Sequence, residues 1–312
     1  MNLLVTGYSG FVGQHLVEQL KNTEHELILL GRKKPSNNTQ VQFHNFSLGD
    51  TSPELEMASI IDVVIHCAAR AHIMKDEVED PIAEYRRVNV SGTLALAKLA
   101  KDNGAKRFIY ISSVKALGES TEDGQKLSHN SAYNAEDPYG QSKAEAEAAL
   151  ISYCETVGME YVIIRPPLIY GKGVKANFAS LYKFIGRGFP LPLAGIKNNR
   201  RSIVAIENLV HLITCCITHP NASNQCFMVS DGEDLSTAKL VKLMARAQGK
   251  RGMGLYVPQW CFSLLGKITG KQDVVLRLTG SLQVDISHTK SVLNWNPVIS
   301  SENALKNMNR IV

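Results

Sequence analysis

Cysteine is scarce in this 312-residue chain, and its six cysteines show neither Cys-x-x-Cys spacing nor a metal-ligand cluster. That scatter argues against a zinc site, any other bound metal and a disulfide framework, so we expect reduced thiols in a cytoplasmic protein. Long apolar runs are missing as well, and a strand pattern starts at Met1, so we expect neither a transmembrane segment nor a signal peptide. The net charge of +5 is small and scattered, which gives no basic stripe for nucleic acid.

A glycine-rich turn stands between an apolar run and a helical pattern near the N-terminus. Residues 1–6 predict a buried strand and residues 12–20 a helix, with Gly7, Gly10 and Gly13 around the junction. Without side chains, the backbone can approach a pyrophosphate, and the helix N-terminus offers free N–H groups. The alternative is a tight turn that happens to be glycine-rich. The strand before it and the helix after it favour dinucleotide binding.

A second pattern lies mid-chain, where Asp137 predicts a helix N-cap and Pro138 the first turn of a helix that runs to about Tyr153. Tyr139 and Lys143 are four residues apart, so they share one face of this helix. An ammonium beside a phenol stabilises the phenolate, and we therefore predict a lowered Tyr139 pKa and general acid or base chemistry on a sugar hydroxyl. The same spacing also occurs on solvated helices without any catalytic role.

A third pattern is a buried strand over residues 107–111 that ends in Ser112 and Ser113. Doubly wound sheets bind ligands at the carboxyl ends of their strands. The Ser113 hydroxyl is therefore a candidate to hydrogen-bond a reacting oxygen, although serine after a strand is also an ordinary turn residue.

These motifs occur in an order that resembles the extended short-chain dehydrogenase/reductase family, which comprises NAD(P)-dependent nucleotide-sugar epimerases, dehydratases and reductases. The resemblance is strongest to the UDP-glucose 4-epimerase-like branch. The matching segments are residues 6–13, 63–69, 88–93, 112–113, 139–143 and 165–171. The resemblance implies an α/β fold with a Rossmann-type doubly wound parallel sheet and a homodimer formed through the helices near residues 86–102 and 139–153.

Site residues follow from the same resemblance. The implied catalytic residues are Ser113, Tyr139 and Lys143. The implied cofactor-binding residues are Gly7, Tyr8, Ser9, Gly10, Phe11, Val12, Arg32, Lys33, Cys67, Ala68, Ala69, Asn89, Lys143 and Pro166. The candidate substrate-binding residues are Lys115, Asn177, Phe178, Arg201 and Arg277, of which Asn177 and Phe178 resemble a phosphate-holding pair and Arg201 a diphosphate-pairing arginine.

Alternation of apolar runs and helical stretches divides the chain. Strand patterns lie near Leu3, Leu27, Val63, Phe108 and Tyr161, and helical patterns near Val12, Arg86 and Ala144. We expect residues 1–165 to form the NAD(P)-binding domain. Residues 166–312, which are Gly/Pro-rich with short helices near Phe178, Leu209 and Leu240, should form mostly a smaller substrate-binding lobe, with some segments returning to the sheet. Residues 257–267 are apolar enough for membrane-surface contact, but we expect a core helix and no membrane partner.

Cofactor choice stays open at the end of the second strand. Gly31 stands where NAD-selective members of the family place an acidic residue, whereas Arg32 and Lys33 are suited to the 2′-phosphate of NADP unless they are only loop charges. Ser47 replaces a common adenine-contacting Asp, which leaves Asp50 as a nearby candidate. The sequence therefore predicts NAD or NADP.

Reaction type depends on the residues after Ser113. Dehydratases of the family follow this position with Asp-Glu, but here Val114 and Lys115 supply no carboxyl group, which argues against dehydration. The remaining expectation is redox chemistry at C4 of a nucleotide-linked hexose or N-acetylhexosamine, with UDP as the expected nucleotide. A 4-epimerase is favoured over an NADPH-dependent 4-keto-sugar reductase for surface polysaccharide synthesis. A non-catalytic dinucleotide-binding sensor is the alternative from another class.

Overall fold

A parallel sheet forms the centre of the computed structural model, which describes residues 1–35, 41–49, 60–70, 79–250, 254–270 and 272–309. Its strands are β1 (Asn2–Thr6), β2 (Glu26–Gly31), β3 (Gln42–Asn45), β4 (Val63–His66), β5 (Arg107–Ile111), β6 (Glu160–Arg165) and, from later in the chain, β9 (Gln225–Met228). They are ordered β3-β2-β1-β4-β5-β6-β9, and every neighbouring pair is parallel. A separate parallel pair joins β7 (Leu168–Tyr170) to β8 (Ile203–Ala205).

Helices flank the sheet and build the rest of the molecule. They are α1 (Phe11–Leu20), α2 (Pro81–Tyr85), α3 (Gly92–Asp102), α4 (Pro138–Val157), α5 (Ala176–Gly186), α6 (Ile206–Thr218), α7 (Thr237–Ala247), α8 (Gln259–Thr269), α9 (Gln272–Thr279), α10 (Ser287–Leu293) and α11 (Ser301–Asn307). A π-helical turn at Arg86–Ser91 joins α2 to α3, and a 3-10 turn at Val114–Ala116 follows β5.

The two faces of the sheet carry two separate apolar cores. Because strand side chains alternate, Leu3 and Val5 of β1 pack with α1 and α6, whereas Leu4 between them packs with α3 and α4. This confirms the predicted doubly wound fold. The strand order reverses between β1 and β4, and this switch point is where such sheets bind ligands.

The second half of the chain contributes to both parts of the molecule. Strand β9 extends the sheet beside β6, and α6 covers one face of it. A third core lies among α5, α7 and α11 and includes Tyr170 and Ile203. The helices expected near Phe178, Leu209 and Leu240 are confirmed as α5, α6 and α7, and α8 to α11 follow them.

Within the described part of the chain, no helix is long and apolar enough to cross a bilayer. Those same residues contain no group of three or more His, Cys, Asp or Glu side chains placed to hold a metal ion.

Candidate active site

The glycine turn packs tightly against the loop that follows β4. Gly7 has φ +70°, and a Cβ there would lie 2.5 Å from the Ala68 nitrogen. A Cβ on Gly13 would lie 2.1 Å from the Gly7 carbonyl oxygen. Gly10 is the N-cap of α1 and has no side chain to cap the helix. The N–H groups in the first turn of α1 are therefore not capped by the Gly10 position. A turn that excludes side chains at a helix N-terminus fits the pyrophosphate of a dinucleotide.

The end of β2 carries no carboxylate. A Cβ on Gly31 would lie 2.8 Å from Cε1 of Tyr8, whose hydroxyl donates a hydrogen bond to the Lys33 carbonyl. The Tyr8 ring therefore fills the space that an acidic side chain at position 31 would need. Arg32 and Lys33 are exposed beside it. Ser47 is half-buried, and Asp50 lies outside the described residues.

The turn after β5 brings Ser113 to Tyr139. The Ser113 hydroxyl lies near enough to the phenol of Tyr139 to lower its pKa, and the Ser113 oxygen accepts a hydrogen bond from the Lys115 nitrogen at 3.2 Å. The predicted cap of α4 is confirmed, because the Asp137 carboxylate accepts from the Gly140 nitrogen at 2.6 Å. A Cβ on Gly140 would lie 2.5 Å from the Lys115 carbonyl oxygen, so glycine allows α4 to approach this turn closely.

Lys143 lies one helical turn from Tyr139 and is 1% exposed. Its ammonium donates to the Ile111 carbonyl at 2.7 Å and lies 4.0 Å from the centre of the Tyr110 ring. Burial lowers the pKa of Lys143 to about 7, although the nearby Glu147 opposes the shift.

The predicted lowering of the Tyr139 pKa is wrong for this structure. Burial of the phenol, followed by the negative charge of Asp137, raises its pKa to about 12, and the neighbouring Ser113 hydroxyl offsets only part of that rise. The ammonium of Lys143 is engaged by Ile111 and Tyr110 instead of the phenol.

Asn89, in the π-helical turn, organises the loop after β4. Its side-chain oxygen accepts from the Arg70 nitrogen at 2.8 Å, and its amide donates to the Ser142 hydroxyl at 2.9 Å. Asn89 therefore ties the loop that contains Cys67, and with it Ala68 and Ala69, to α4. A direct cofactor contact of Asn89 stays a prediction.

The remaining predicted cofactor residues lie at the same edge of the sheet. Ser9 is exposed and Phe11 and Val12 are half-buried in the glycine turn and the start of α1. Pro166, at the end of β6, is buried, and its carbonyl accepts from the Val114 nitrogen at 3.0 Å. The buried Ser112 hydroxyl has no hydrogen-bond partner among the described residues.

Lys115 is neutralised by two carboxylates. Its ammonium lies 2.8 Å from Glu119 and 2.5 Å from Asp137, so its charge is already paired inside the protein. A substrate contact through Lys115 stays a prediction and would have to compete with both carboxylates.

Arg201 and Arg277 lie near enough for their charges to interact. Burial and the neighbouring charge of Arg277 lower the pKa of Arg201, and Glu119 acts in the opposite direction. Arg201 donates to the Gly280 carbonyl at 3.2 Å, and neither arginine forms an ion pair within the described ranges. Two guanidinium groups without an ion-paired carboxylate are suited to a diphosphate. Glu119 is itself ion-paired to Lys115, whose backbone nitrogen donates a hydrogen bond to Ser113.

Asn177 and Phe178 form the first turn of α5. Asn177 is exposed, whereas the Phe178 ring is buried against Tyr170 with ring centres 5.3 Å apart. Only the backbone of Phe178 is therefore suited to the predicted phosphate contact.

Sequence reasoning missed a buried ion pair beneath Lys143. Glu147 is 0% exposed, and one of its oxygens lies 2.6 Å from Nη2 of Arg165. The Tyr133 hydroxyl donates to the same carboxylate at 3.1 Å. The four-residue spacing from Lys143 to Glu147 on one helix face was the available indication. His66 was also missed. Burial lowers the pKa of its imidazole to about 3, and the ring is hydrogen-bonded to the Thr6 hydroxyl at 2.6 Å.

A Rossmann-type sheet, a glycine cradle and a Ser–Tyr–Lys group define the class of short-chain dehydrogenases/reductases. The family model described as the NAD dependent epimerase/dehydratase family matches residues 3–229, and the chain belongs to this family. It is 48% identical over 300 residues to a UDP-glucose 4-epimerase of Vibrio cholerae, covering 95% of this chain and 90% of that protein.

Two more distant relatives extend the comparison. The chain is 27% identical to the N-acetyl-alpha-D-glucosaminyl-diphospho-ditrans,octacis-undecaprenol 4-epimerase of Escherichia coli O157:H7, covering 88% of this chain and 82% of that protein. It shares its fold with the UDP-glucose 4-epimerase of Thermotoga maritima solved with UDP-glucose, with a TM-score of 0.79, 24% identity, and coverage of 99% and 97% of the two chains.

Proposed function

We propose that the protein is an NAD(P)-dependent 4-epimerase of a nucleotide-linked hexose or N-acetylhexosamine, with UDP as the nucleotide. The observation that carries this proposal is that Ser113 lies beside Tyr139, with Lys143 one helical turn away and a glycine cradle that fits a dinucleotide at the same edge of the sheet. The Vibrio cholerae relative, a UDP-glucose 4-epimerase, supports both the reaction and the nucleotide.

Bound NAD(P) supplies the acceptor and then the donor of the hydride at sugar C4. Tyr139 takes the proton of the C4 hydroxyl as the sugar is oxidised and returns it when the hydride reaches the opposite face. Ser113 orients the same oxygen, since its own oxygen is fixed by the Lys115 nitrogen. Lys143 is the residue that lowers the pKa of Tyr139 and contacts the nicotinamide ribose. Both roles require its ammonium to leave the Ile111 carbonyl and the Tyr110 ring.

The substrate diphosphate is assigned to Arg201 and Arg277, with the first turn of α5 at Asn177 and Phe178 as a further contact. Arg201 is partly buried and Arg277 is exposed, and two guanidinium groups near each other without an ion-paired carboxylate favour a polyanion over a neutral sugar. The sugar itself lies between these arginines and the Ser113–Tyr139 pair.

A second candidate is the NADPH-dependent 4-keto-sugar reductase. The Tyr8 ring occupies the space that an acidic side chain at position 31 would need, and Arg32 and Lys33 are exposed next to it. This arrangement favours a 2′-phosphate. Mass spectrometry of released cofactor, paired with NADH and NADPH titrations, separates the candidates: bound NAD(H) supports the epimerase, and an empty site that prefers NADPH supports the reductase.

We also propose a cytoplasmic homodimer, in which α3 and α4 of each protomer form a four-helix interface. The small exposed side chain of Ala148 on α4 is suited to close helix packing. Replacing Ala148 with Arg should give a monomer in light scattering, whereas an unchanged oligomer would contradict this interface.

Tyr139→Phe tests the assignment of the catalytic group. Removing one hydroxyl should lower turnover by about a hundredfold or more, because general acid–base catalysis is lost, while the affinity for cofactor is retained. Turnover is measured with UDP-glucose and cofactor affinity by fluorescence titration. Unchanged turnover would exclude Tyr139 as the acid or base, and a protein without turnover before mutation would support the sensor alternative.

A further inference from the structure

Helices α8 and α9 expose several large apolar side chains. Together with the preceding segment they form what we call the α8–α9 surface, which consists of Leu255, Tyr256, Trp260, Leu264, Leu265, Ile268, Val274 and Leu276. Trp260 is 66% exposed and Ile268 75%. The expectation that residues 257–267 form a core helix is therefore wrong, because Gly266 is the buried residue of α8 in the described structure.

The outer face of α8 is apolar because large apolar residues recur along it at helical spacing. Trp260, Leu264 and Ile268 recur every four residues and therefore lie along one side of the helix. The opposite side holds the helix in place: Phe262 packs against the third core, and a Cβ on Gly266 would lie 2.9 Å from the Val275 side chain. Helix α8 is thus anchored from within, while its outer row of side chains has no covering partner in the described structure.

Charge is strongly asymmetric along the chain, which corrects the expectation of a scattered net charge. Residues 171–205 and 235–280 hold fifteen of the 34 Lys and Arg residues but one of the 29 Asp and Glu residues. The rest of the chain accordingly carries an excess of acidic residues. The part of the molecule that bears the α8–α9 surface is therefore its basic part.

Several of these basic side chains stand next to the α8–α9 surface. Lys267 is exposed on α8, and the Lys197 ammonium lies 5.8 Å from the centre of the Tyr256 ring. The Leu255 nitrogen donates a backbone hydrogen bond to the Leu191 carbonyl at 2.9 Å, and Leu191 follows shortly after the end of α5, which carries the exposed Lys183 and Arg187. Exposed aromatic and aliphatic side chains bordered by Lys and Arg are the composition of interfacial membrane-binding helices.

We propose that the α8–α9 surface docks on an anionic lipid bilayer and holds the protein at the membrane–water interface. The apolar row enters the boundary between headgroups and acyl chains, and the surrounding Lys and Arg side chains pair with lipid phosphates. A second copy of the chain fits less well, because a symmetric dimer across this surface would press two basic regions together. The proposal goes beyond the epimerase function and does not depend on it.

Vesicle binding provides the direct test. The purified protein is sedimented with vesicles of phosphatidylcholine alone and with vesicles of equal parts phosphatidylcholine and phosphatidylglycerol. We expect binding to the phosphatidylglycerol vesicles that weakens as salt is raised. Tryptophan emission gives a second readout, since the chain has two tryptophans and Trp295 is 2% exposed. The exposed Trp260 should shift to shorter wavelength on binding.

Two variants and a control locate the contact. Trp260→Gln combined with Ile268→Gln should weaken vesicle affinity at least tenfold without changing turnover, and Lys267→Glu should reduce binding to phosphatidylglycerol vesicles selectively. Val298→Gln removes a side chain that is also exposed but lies outside the α8–α9 surface, and it should bind like the wild type. Absence of wild-type binding, or equal binding to both vesicles, would overturn the proposal. So would self-association in light scattering that the Trp260/Ile268 variant abolishes.

Discussion

Lys143 shows how burial governs the chemistry of single residues in this site. Its ammonium lies in the interior against one carbonyl and one aromatic ring, and burial brings its pKa to about 7. The same effect raises the pKa of Tyr139 to about 12. Lys143 is therefore less charged at neutral pH than a lysine in water, and Tyr139 needs a more alkaline pH than a tyrosine in water to ionise.

Lys143→Met should stabilise the protein, and more so at low pH. The folded-state pKa of about 7 lies below the unfolded value of 10.5, so between these values the unfolded chain binds a proton that the folded chain does not. The free energy of unfolding of the wild type therefore rises with pH across this window. The difference in stability between the methionine variant and the wild type becomes smaller over the same range. We expect a Tm increase of a few degrees at pH 7 and below.

Thermal unfolding of both proteins from pH 6 to pH 10 measures this difference. The matched control is Lys290→Met, which removes an exposed lysine on α10 and should leave Tm nearly unchanged at every pH. A gap between Lys143→Met and wild type that widens as pH rises would contradict the burial of a lowered-pKa lysine.

The positions of several site residues could be predicted because they depend on helix capping, helical spacing and turn residues, which are local in sequence. The Asp137 cap, Tyr139 and Lys143 on one helix face and Ser113 after a strand all lie where spacing and turn chemistry predict. Burial is a tertiary property, so the raised Tyr139 pKa and the Glu147–Arg165 pair were beyond local patterns.

At the scale of elements, the turn from β1 into α1 depends on two glycines to different degrees. Gly13→Ala should cost about 1–3 kcal/mol in the free energy of unfolding, because its Cβ would lie 2.1 Å from the backbone oxygen of Gly7. Gly10→Ala should cost less than about 1 kcal/mol, since its Cβ would lie 3.2 Å from the same oxygen and its φ of −81° suits alanine.

Urea unfolding and dinucleotide titration of the two variants check this contrast. Gly10→Ala should keep its stability and bind the dinucleotide more weakly, because the methyl group enters the path of the pyrophosphate. Equal stability losses in the two variants would contradict the packing described for the turn.

Strongly patterned elements were predictable, and weakly patterned ones were not. Strands β1, β2, β4, β5 and β6 are nearly continuous apolar runs and lie where predicted. Strand β3 was missed because Gln-Phe-His-Asn lies near one edge of the sheet and is only partly buried. Helix α8 was placed in the core because an apolar sequence does not reveal whether a partner covers it.

At the scale of the whole molecule, the site is assembled from both halves of the chain. The segment after Ser113 pairs with a later one through Leu127 and Val284, and Arg201 bridges to Leu282 of that same later segment. We propose residues 1–165 as the dinucleotide-binding domain and 166–312 as mostly the substrate lobe, with α6 and β9 returning to the sheet. Pairings this distant in sequence leave no local pattern, so the candidate substrate-binding residues of the second half came from the resemblance to a family and not from periodicity.

Epimerisation without a reductant distinguishes a 4-epimerase from a 4-keto-sugar reductase. Purified protein is incubated with UDP-glucose, and separately with UDP-N-acetylglucosamine, in the presence of NAD and in the absence of NADPH. Nuclear magnetic resonance of the anomeric proton follows inversion at C4. We predict that at least one of the two substrates reaches an equilibrium mixture of its two C4 epimers. No inversion of either sugar, together with oxidation of NADPH when a 4-keto sugar nucleotide is supplied, would contradict it.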